Sequence, residues 1–144
     1  FCLVYDDSGD GAAGQYAAYV ASNWAVVGNG HACAIPVSRL SSASTSGYNL
    51  IYVGGDSTAI KEGTLTGSWD SAKVTVAGSS HSDVIMFLAF PGKSRLSAAV
   101  VATKGQEQLL YGIPLFTSRT VLPDYFVYPS AGTKASGFFT ADWK

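Results

Sequence analysis

The sequence predicts one α/β domain over residues 1–144, with a mostly parallel sheet flanked by helices and a C-terminal antiparallel hairpin. Its first half alternates strand, helix, strand, crossover and strand, an order that favours right-handed crossovers between parallel strands. Its strands are continuous apolar runs, as expected where both faces of a parallel sheet are buried. Its last part contains two aromatic segments separated by a Pro/Gly/Ser turn, which is typical of a hairpin.

The elements of the first half are defined by periodicity and by glycine. Apolar residues recur at three and four positions from 12 to 27, which predicts a helix that ends at the Gly28-Asn29-Gly30 turn. Residues 57–69 are predicted to form a short helix or an irregular crossover. The predicted strands of this half cover residues 1–6, 31–37, 48–56 and 72–78.

The second half is predicted in less detail. SDVIMFLAF, residues 82–90, is a further buried strand. Residues 94–105 fit either a helix that begins at Ser94 or a strand, and the sequence leaves both open. The aromatic hairpin is expected within residues 120–144.

Composition restricts the class of protein. Only 13% of the residues are charged, about half the usual fraction, and the net charge is −1. The nine basic residues are scattered, so no cluster is available to bind nucleic acid. No apolar run is long enough for a transmembrane helix. The chain begins with Phe1 instead of Met, which favours removal of a secretion signal and an extracellular or cell-surface location.

The two cysteines, Cys2 and Cys33, fit an oxidising compartment if they are bonded. Each opens a predicted strand. If the two strands are parallel neighbours, the cysteines lie at the same end of the sheet, about 5 Å apart. The sequence therefore predicts an internal disulfide, while two buried thiols or a bond between subunits stay open as alternatives.

The segment from Tyr5 to Val20 allows three interpretations. Gly9, Gly11 and Gly14 form the G-x-G-x-x-G spacing of a dinucleotide loop. Asp6, Ser8 and Asp10 instead supply oxygen atoms at alternate positions before a glycine, as in a calcium loop, although Ala17 replaces the bidentate glutamate. The simplest interpretation is that the aspartates cap the following helix.

No complete catalytic set is found, and no cofactor other than calcium is predicted. The G-K-S at residues 92–94 lacks the earlier glycine of a phosphate-binding loop, since position 87 is Phe87. His81 lies between two serines and near Asp83, which is the nearest approach to a hydrolytic group.

Residues 48–80 resemble units of cell-surface proteins. Val53-Gly54-Gly55 followed by Lys73-Val74-Thr75 and Ala77-Gly78 is similar to the strand, short helix and strand of bacterial cell-wall-binding repeats. The glycine-ended strand also resembles strands of archaeal surface-layer proteins. The resemblance implies a Rossmann-like or flavodoxin-like α/β unit in a cell-envelope setting, and it implies no functional residues.

These observations predict a secreted structural subunit that assembles with copies of itself into a surface layer, sheath or filament. The aromatic tail either adds strands to a neighbour's sheet or completes the chain's own core, and the sequence leaves both open. Two alternatives stay open, namely a nucleotide- or flavin-binding domain that uses residues 9–14, and a secreted hydrolase or carbohydrate-binding module. The predicted assembly residues are Tyr125, Phe126, Tyr128, Phe138, Phe139 and Trp143.

Overall fold

The computed structural model describes residues 1–41, 44–61, 63–113, 123–129 and 135–143. One α-helix, α1, covers Ala12–Val27, the range that the sequence predicts. Three 3₁₀ helices lie at Val37–Arg39, Ser57–Ala59 and Glu107–Gly112. The strands are β1 (Cys2–Tyr5), β2 (Cys33–Pro36), β3 (Leu50–Val53), β4 (Gly67–Trp69), β5 (Val74–Val76), β6 (Ser79–His81), β7 (Val84–Pro91), β8 (Leu96–Ala102), β9 (Tyr125–Pro129) and β10 (Ala135–Gly137).

Seven of these strands form one mixed sheet in the order β10-β9-β7-β8-β3-β1-β2. The four strands β8, β3, β1 and β2 are parallel to one another. At the other end, β7, β9 and β10 pair with their neighbours in antiparallel fashion. The strands β4, β5 and β6 form a separate antiparallel sheet.

The predicted helix-flanked α/β fold, of Rossmann or flavodoxin type, is wrong. The structure is mostly β, and α1 is the one α-helix in the described residues. Residues 67–81 form a three-stranded antiparallel sheet in place of the predicted crossover and parallel strand. Ala77 and Gly78 both have positive φ, which suits the two-residue turn between β5 and β6 and reverses the chain.

Residues 94–105, for which the sequence allowed either a helix or a strand, contain the strand β8. β8 pairs with β3 on one side and with β7 on the other. Successive side chains of β8 point to opposite faces of the sheet, as expected of a strand. One face has Ser97, Ala99 and Val101, and the other has Ala98 and Val100.

The domain has three layers. On one face of the large sheet, α1 packs through Tyr16, Ala17 and Val20 against residues such as Leu3 and Val53. On the other face, the small sheet contributes Trp69, Val74 and Val76 to a core with Cys2, Val4, Met86, Leu88 and Phe90. Each face of the large sheet is therefore buried, by α1 and the 3₁₀ helix at Glu107–Gly112 on one side and by a second sheet on the other.

Candidate functional site

The carboxyl ends of three parallel strands meet at one edge of the large sheet. Tyr5 at the end of β1 is in register with Pro36 at the end of β2 and with Val53 at the end of β3. After β1 the chain continues to α1 on one face, and after β3 it continues to the small sheet on the other. Such diverging loops leave a crevice, which is where open sheets with parallel strands commonly bind ligands.

A cleft of about 260 Å³ occupies this position. Its apolar lining includes Val4, Val37 and Ile60, and its carboxylates are those of Asp6 and Asp56. No lysine or arginine lines the cleft within the described part of the chain. Because phosphate carries negative charge, this lining suits a cation or a hydrogen-bond donor better than a nucleotide.

Two of the three predicted calcium residues, Asp6 and Ser8, bond to each other, while Asp10 bonds to the start of α1. Asp6 Oδ1 accepts hydrogen bonds from the Ser8 backbone N–H, at 3.0 Å, and from the Ser8 hydroxyl, at 2.7 Å. Asp10 Oδ1 instead accepts the Ala12 N–H at 3.0 Å, at the start of α1. No group of three or more His, Cys, Asp or Glu side chains suited to a metal ion occurs in the described ranges. Calcium binding stays a prediction, and Asp10 accepts one N–H of the first turn of α1, whose N-cap residue is Gly11.

The glycines of the predicted dinucleotide loop have separate roles. Gly11 has φ of +89°, a left-handed conformation that lets the chain enter α1. A Cβ atom on Gly14 would lie 3.3 Å from the Tyr5 ring, so this glycine lets α1 pack closely on β1. The Asp10 carboxylate bonds to the Ala12 N–H, and its negative charge at the start of α1 disfavours a phosphate there.

A carboxylate that the sequence analysis did not single out joins the ends of β1 and β2. Asp7 accepts hydrogen bonds from the backbone N–H of Ser38, at 3.2 Å, and from the Ser38 hydroxyl. The hydroxyl bond is the main cause of the lowered pKa of Asp7, and the nearby positive charge of Arg39 lowers it slightly further.

Replacing Ser38 with alanine is expected to raise the pKa of Asp7 toward its ordinary value. Because the folded-state pKa is lowered, this contact stabilises the fold at pH values above the unfolded-state pKa of about 3.9 and is lost as pH falls through the folded-state pKa. NMR titration of the Asp7 carboxyl measures the change. Ser8→Ala is the control, since Ser8 donates to Asp6 and not to Asp7. An identical Asp7 titration in both variants would contradict the assignment.

The internal disulfide is confirmed. Cys2 and Cys33 are in register at the start of β1 and β2, their Cα atoms are 4.7 Å apart, and the two residues are bonded. The bond fixes the end strand β2 to the interior of the sheet. It is compatible with an oxidising, extracellular compartment.

Three of the six predicted assembly residues, Tyr125, Phe126 and Phe139, contribute to the chain's own core. Phe126 is buried and stacks on Phe87. Tyr125 contacts Phe139, which in turn contacts Trp143. The two with large exposed surfaces are Tyr128, at 40%, and Phe138, at 68%. Residues 120–122, 130–134 and 144 of the predicted tail lie outside the described residues.

A second candidate surface is formed by the two end strands of the large sheet, β2 and β10. Each has a neighbour on one side, β1 and β9 respectively, and no described strand on the other. Sequence analysis predicted the tail as an assembly element but missed the β2 edge. The parallel order of β1, β2 and β3 leaves open which strand ends the sheet, so no sequence signal could have identified it.

His81 ends β6. The described residues form no hydrogen bond that links His81 to Asp83 or to a serine.

Within the described parts of the chain, no helix has the length and the apolar character needed to span a bilayer. Comparison of the sequence with protein-family models and with curated proteins, and of the fold with solved structures, finds no match.

Proposed function

We propose that the protein is an extracellular structural subunit that assembles with copies of itself into a surface layer, sheath or filament. The observation that carries the proposal is that the large sheet ends, on both sides, in a strand that has an open edge among the described residues. An open edge presents unpaired backbone N–H and C=O groups, and a strand of another chain can pair with them.

Neither end strand contains a charged residue. β2 has the sequence CAIP and β10 has the sequence ASG. Monomeric sheet proteins commonly protect their edges with charged side chains, because a charge opposes pairing with a second chain. Pro36 offers partial protection at the end of β2, but Cys33, Ala34 and Ile35 keep their N–H groups. Within the described residues, the two edges thus lack protection by charge, although both strands are short, with four and three residues.

The low net charge of the whole chain also favours association between copies. With a net charge of −1, two copies repel each other only weakly. The disulfide supports an extracellular location and holds β2 in place, so that the edge is already ordered before a partner arrives.

Energetics limit what edge pairing alone can do. Three or four ladder hydrogen bonds contribute about 2–6 kcal/mol in total, at roughly 0.5–1.5 kcal/mol each. Association costs at least about 4 kcal/mol in lost translational and rotational freedom. We therefore expect the joint to need apolar side-chain contacts in addition to the backbone bonds.

The nucleotide-binding alternative has less support from the geometry. The cleft is lined by carboxylates and by no described basic side chain, and the Asp10 carboxylate bonds to the first N–H of α1. No described feature favours the hydrolase or carbohydrate-binding alternative over assembly.

Introducing a charge at the β2 edge is expected to prevent assembly. The variant Ala34→Lys adds a charge at an exposed position of β2, and light scattering over a range of concentrations compares it with the native chain. Ala18→Lys is the matched control, because Ala18 is also exposed but lies on α1. We expect the native chain and the control to form large particles, and Ala34→Lys to scatter as a single chain. A native chain that stays monomeric at every concentration would disprove the proposal.

A further inference from the structure

We propose that the subunits join head to tail, with β2 of one copy pairing in antiparallel fashion with β10 of the next. In this arrangement Phe138 of the second copy packs on Val26 and Val27 of the first. The inference rests on the proposed function and specifies the surface and the partner, which is a second copy of the same chain.

The directions of the strands fit such a joint. The strands β2, β1, β3 and β8 run in one direction, β7 runs against them, β9 runs with them, and β10 runs against them again. When a second copy is placed beside the first in the same orientation, its β10 meets β2 in opposite direction. The pair is then antiparallel, and the large sheet continues from one subunit into the next.

Exposed apolar side chains lie at matching ends of the two strands. The helix α1 begins after the carboxyl end of β1, packs on β2 and ends at Val27, and residues 28–32 then lead into Cys33, so Val26 and Val27 lie toward the end of the sheet where β2 starts. These two valines are 84% and 67% exposed. Phe138 follows directly after the end of β10 and is 68% exposed. An antiparallel pair brings the end of β10 beside the start of β2, and therefore Phe138 to the two valines.

The alternation of side chains between the two faces of a strand also places Phe138 on the α1 side of the sheet. Ser136 is opposite Phe126, whose side chain belongs to the core cluster on the α1 face. Phe139 packs on the opposite face, against the core of the small sheet. Continuing the alternation from Ser136 places Phe138 on the same face as α1, where Val26 and Val27 are located.

The competing arrangement is a twofold joint between two copies of β2. Such a joint is self-complementary and closes after two subunits, so it yields dimers that leave Phe138 exposed. A head-to-tail joint uses two different surfaces and can continue indefinitely in one direction, as in a filament or in one row of a layer.

Mixing two edge variants distinguishes these arrangements. Ala34→Lys blocks β2 and leaves β10 intact, whereas Ser136→Lys blocks β10 at an exposed position and leaves β2 intact. Circular dichroism first establishes that both variants fold, and analytical ultracentrifugation then measures mass. We expect each variant alone to be monomeric and the equimolar mixture to form a dimer of one chain of each kind, with no longer species.

Three results would overturn the joint. Dimers of Ser136→Lys alone, beside monomeric Ala34→Lys, would show the twofold β2 joint. Long assemblies of either variant alone would place the contact elsewhere, while leaving the proposed function intact. A native chain that is monomeric at all concentrations would remove both the joint and the proposed function.

A side-chain variant tests the same joint without a change in either strand. Phe138→Ser is expected to raise the concentration needed for assembly by about tenfold or more, as for loss of a central aromatic contact. Leu96→Ser is the matched control, because Leu96 is also an exposed apolar residue, at 51%, but lies on the interior strand β8. Equal assembly of Phe138→Ser and the control would contradict the assigned contact.

Discussion

Replacing both Cys2 and Cys33 with alanine is expected to lower the free energy of unfolding by about 3.5 kcal/mol. The two residues are 31 positions apart, and cross-linking a loop of this length reduces the conformational entropy of the unfolded chain by about this amount. The loss is a large part of the stability of a small domain, which is typically about 5–15 kcal/mol. Chemical denaturation of the native and double-alanine chains measures the difference.

Reduction of the native protein provides the control for this prediction. A reducing agent should lower the stability of the native chain toward that of the double-alanine variant and leave the variant unchanged. A difference below about 1 kcal/mol would contradict the assigned role, because it would mean that the bond hardly restricts the unfolded chain.

Replacing Gly63 with alanine is expected to lower the free energy of unfolding by roughly 2–5 kcal/mol. Gly63 has φ of +80°, which costs a residue with a side chain about 1–2 kcal/mol. A Cβ atom at this position would also clash with the carbonyl oxygen of Pro91 and would lie 2.7 Å from Gly92 Cα. Both are backbone atoms at the end of β7, so relieving the overlap adds about 1–3 kcal/mol.

Gly47→Ala separates the two contributions. Gly47 has nearly the same φ, +81°, but a Cβ atom there would meet no atom of the described residues within 4 Å. We expect Gly47→Ala to lower the free energy of unfolding by only the conformational part, about 1–2 kcal/mol. Denaturation of both variants measures the difference, and an equal loss in the two would contradict the close approach of Gly63 to Pro91.

The sequence predicted correctly those elements whose apolar periodicity extends over many residues or whose order along the chain restricts their pairing. The helix α1 has sixteen residues, with buried positions at helical spacing and a glycine after its end, so its bounds could be predicted. The parallel pairing of the cysteine-bearing strands followed from the strand, helix, strand order, and the disulfide followed from it.

The fold class was predicted wrongly because its deciding elements are short and local. β4, β5 and β6 have three residues each, too few for any periodicity to be recognised. Their pairing depends on tight turns and on the fit of Trp69, Val74 and Val76 to the face of the large sheet. Such tertiary packing overrides local propensity and cannot be read along the chain.

The candidate sites were predicted in part. Asp6 and Ser8 do line the cleft, but Asp56 comes from the end of β3, and only the spatial arrangement of the strands brings it there. The sequence left open whether the aromatic tail packs on a neighbour or in the chain's own core, and Phe126 and Phe139 contribute to the chain's own core. Aromatic residues look alike in a sequence whether they fill a core or an interface.

Electron cryomicroscopy of the concentrated native protein tests the central claim most directly. The proposed function and the head-to-tail joint predict ordered assemblies in which the large sheet is continuous between subunits, with β2 of one copy beside β10 of the next. Contacts that leave both end strands exposed to solvent, or a solution that contains only single 15.0 kDa chains, would contradict it.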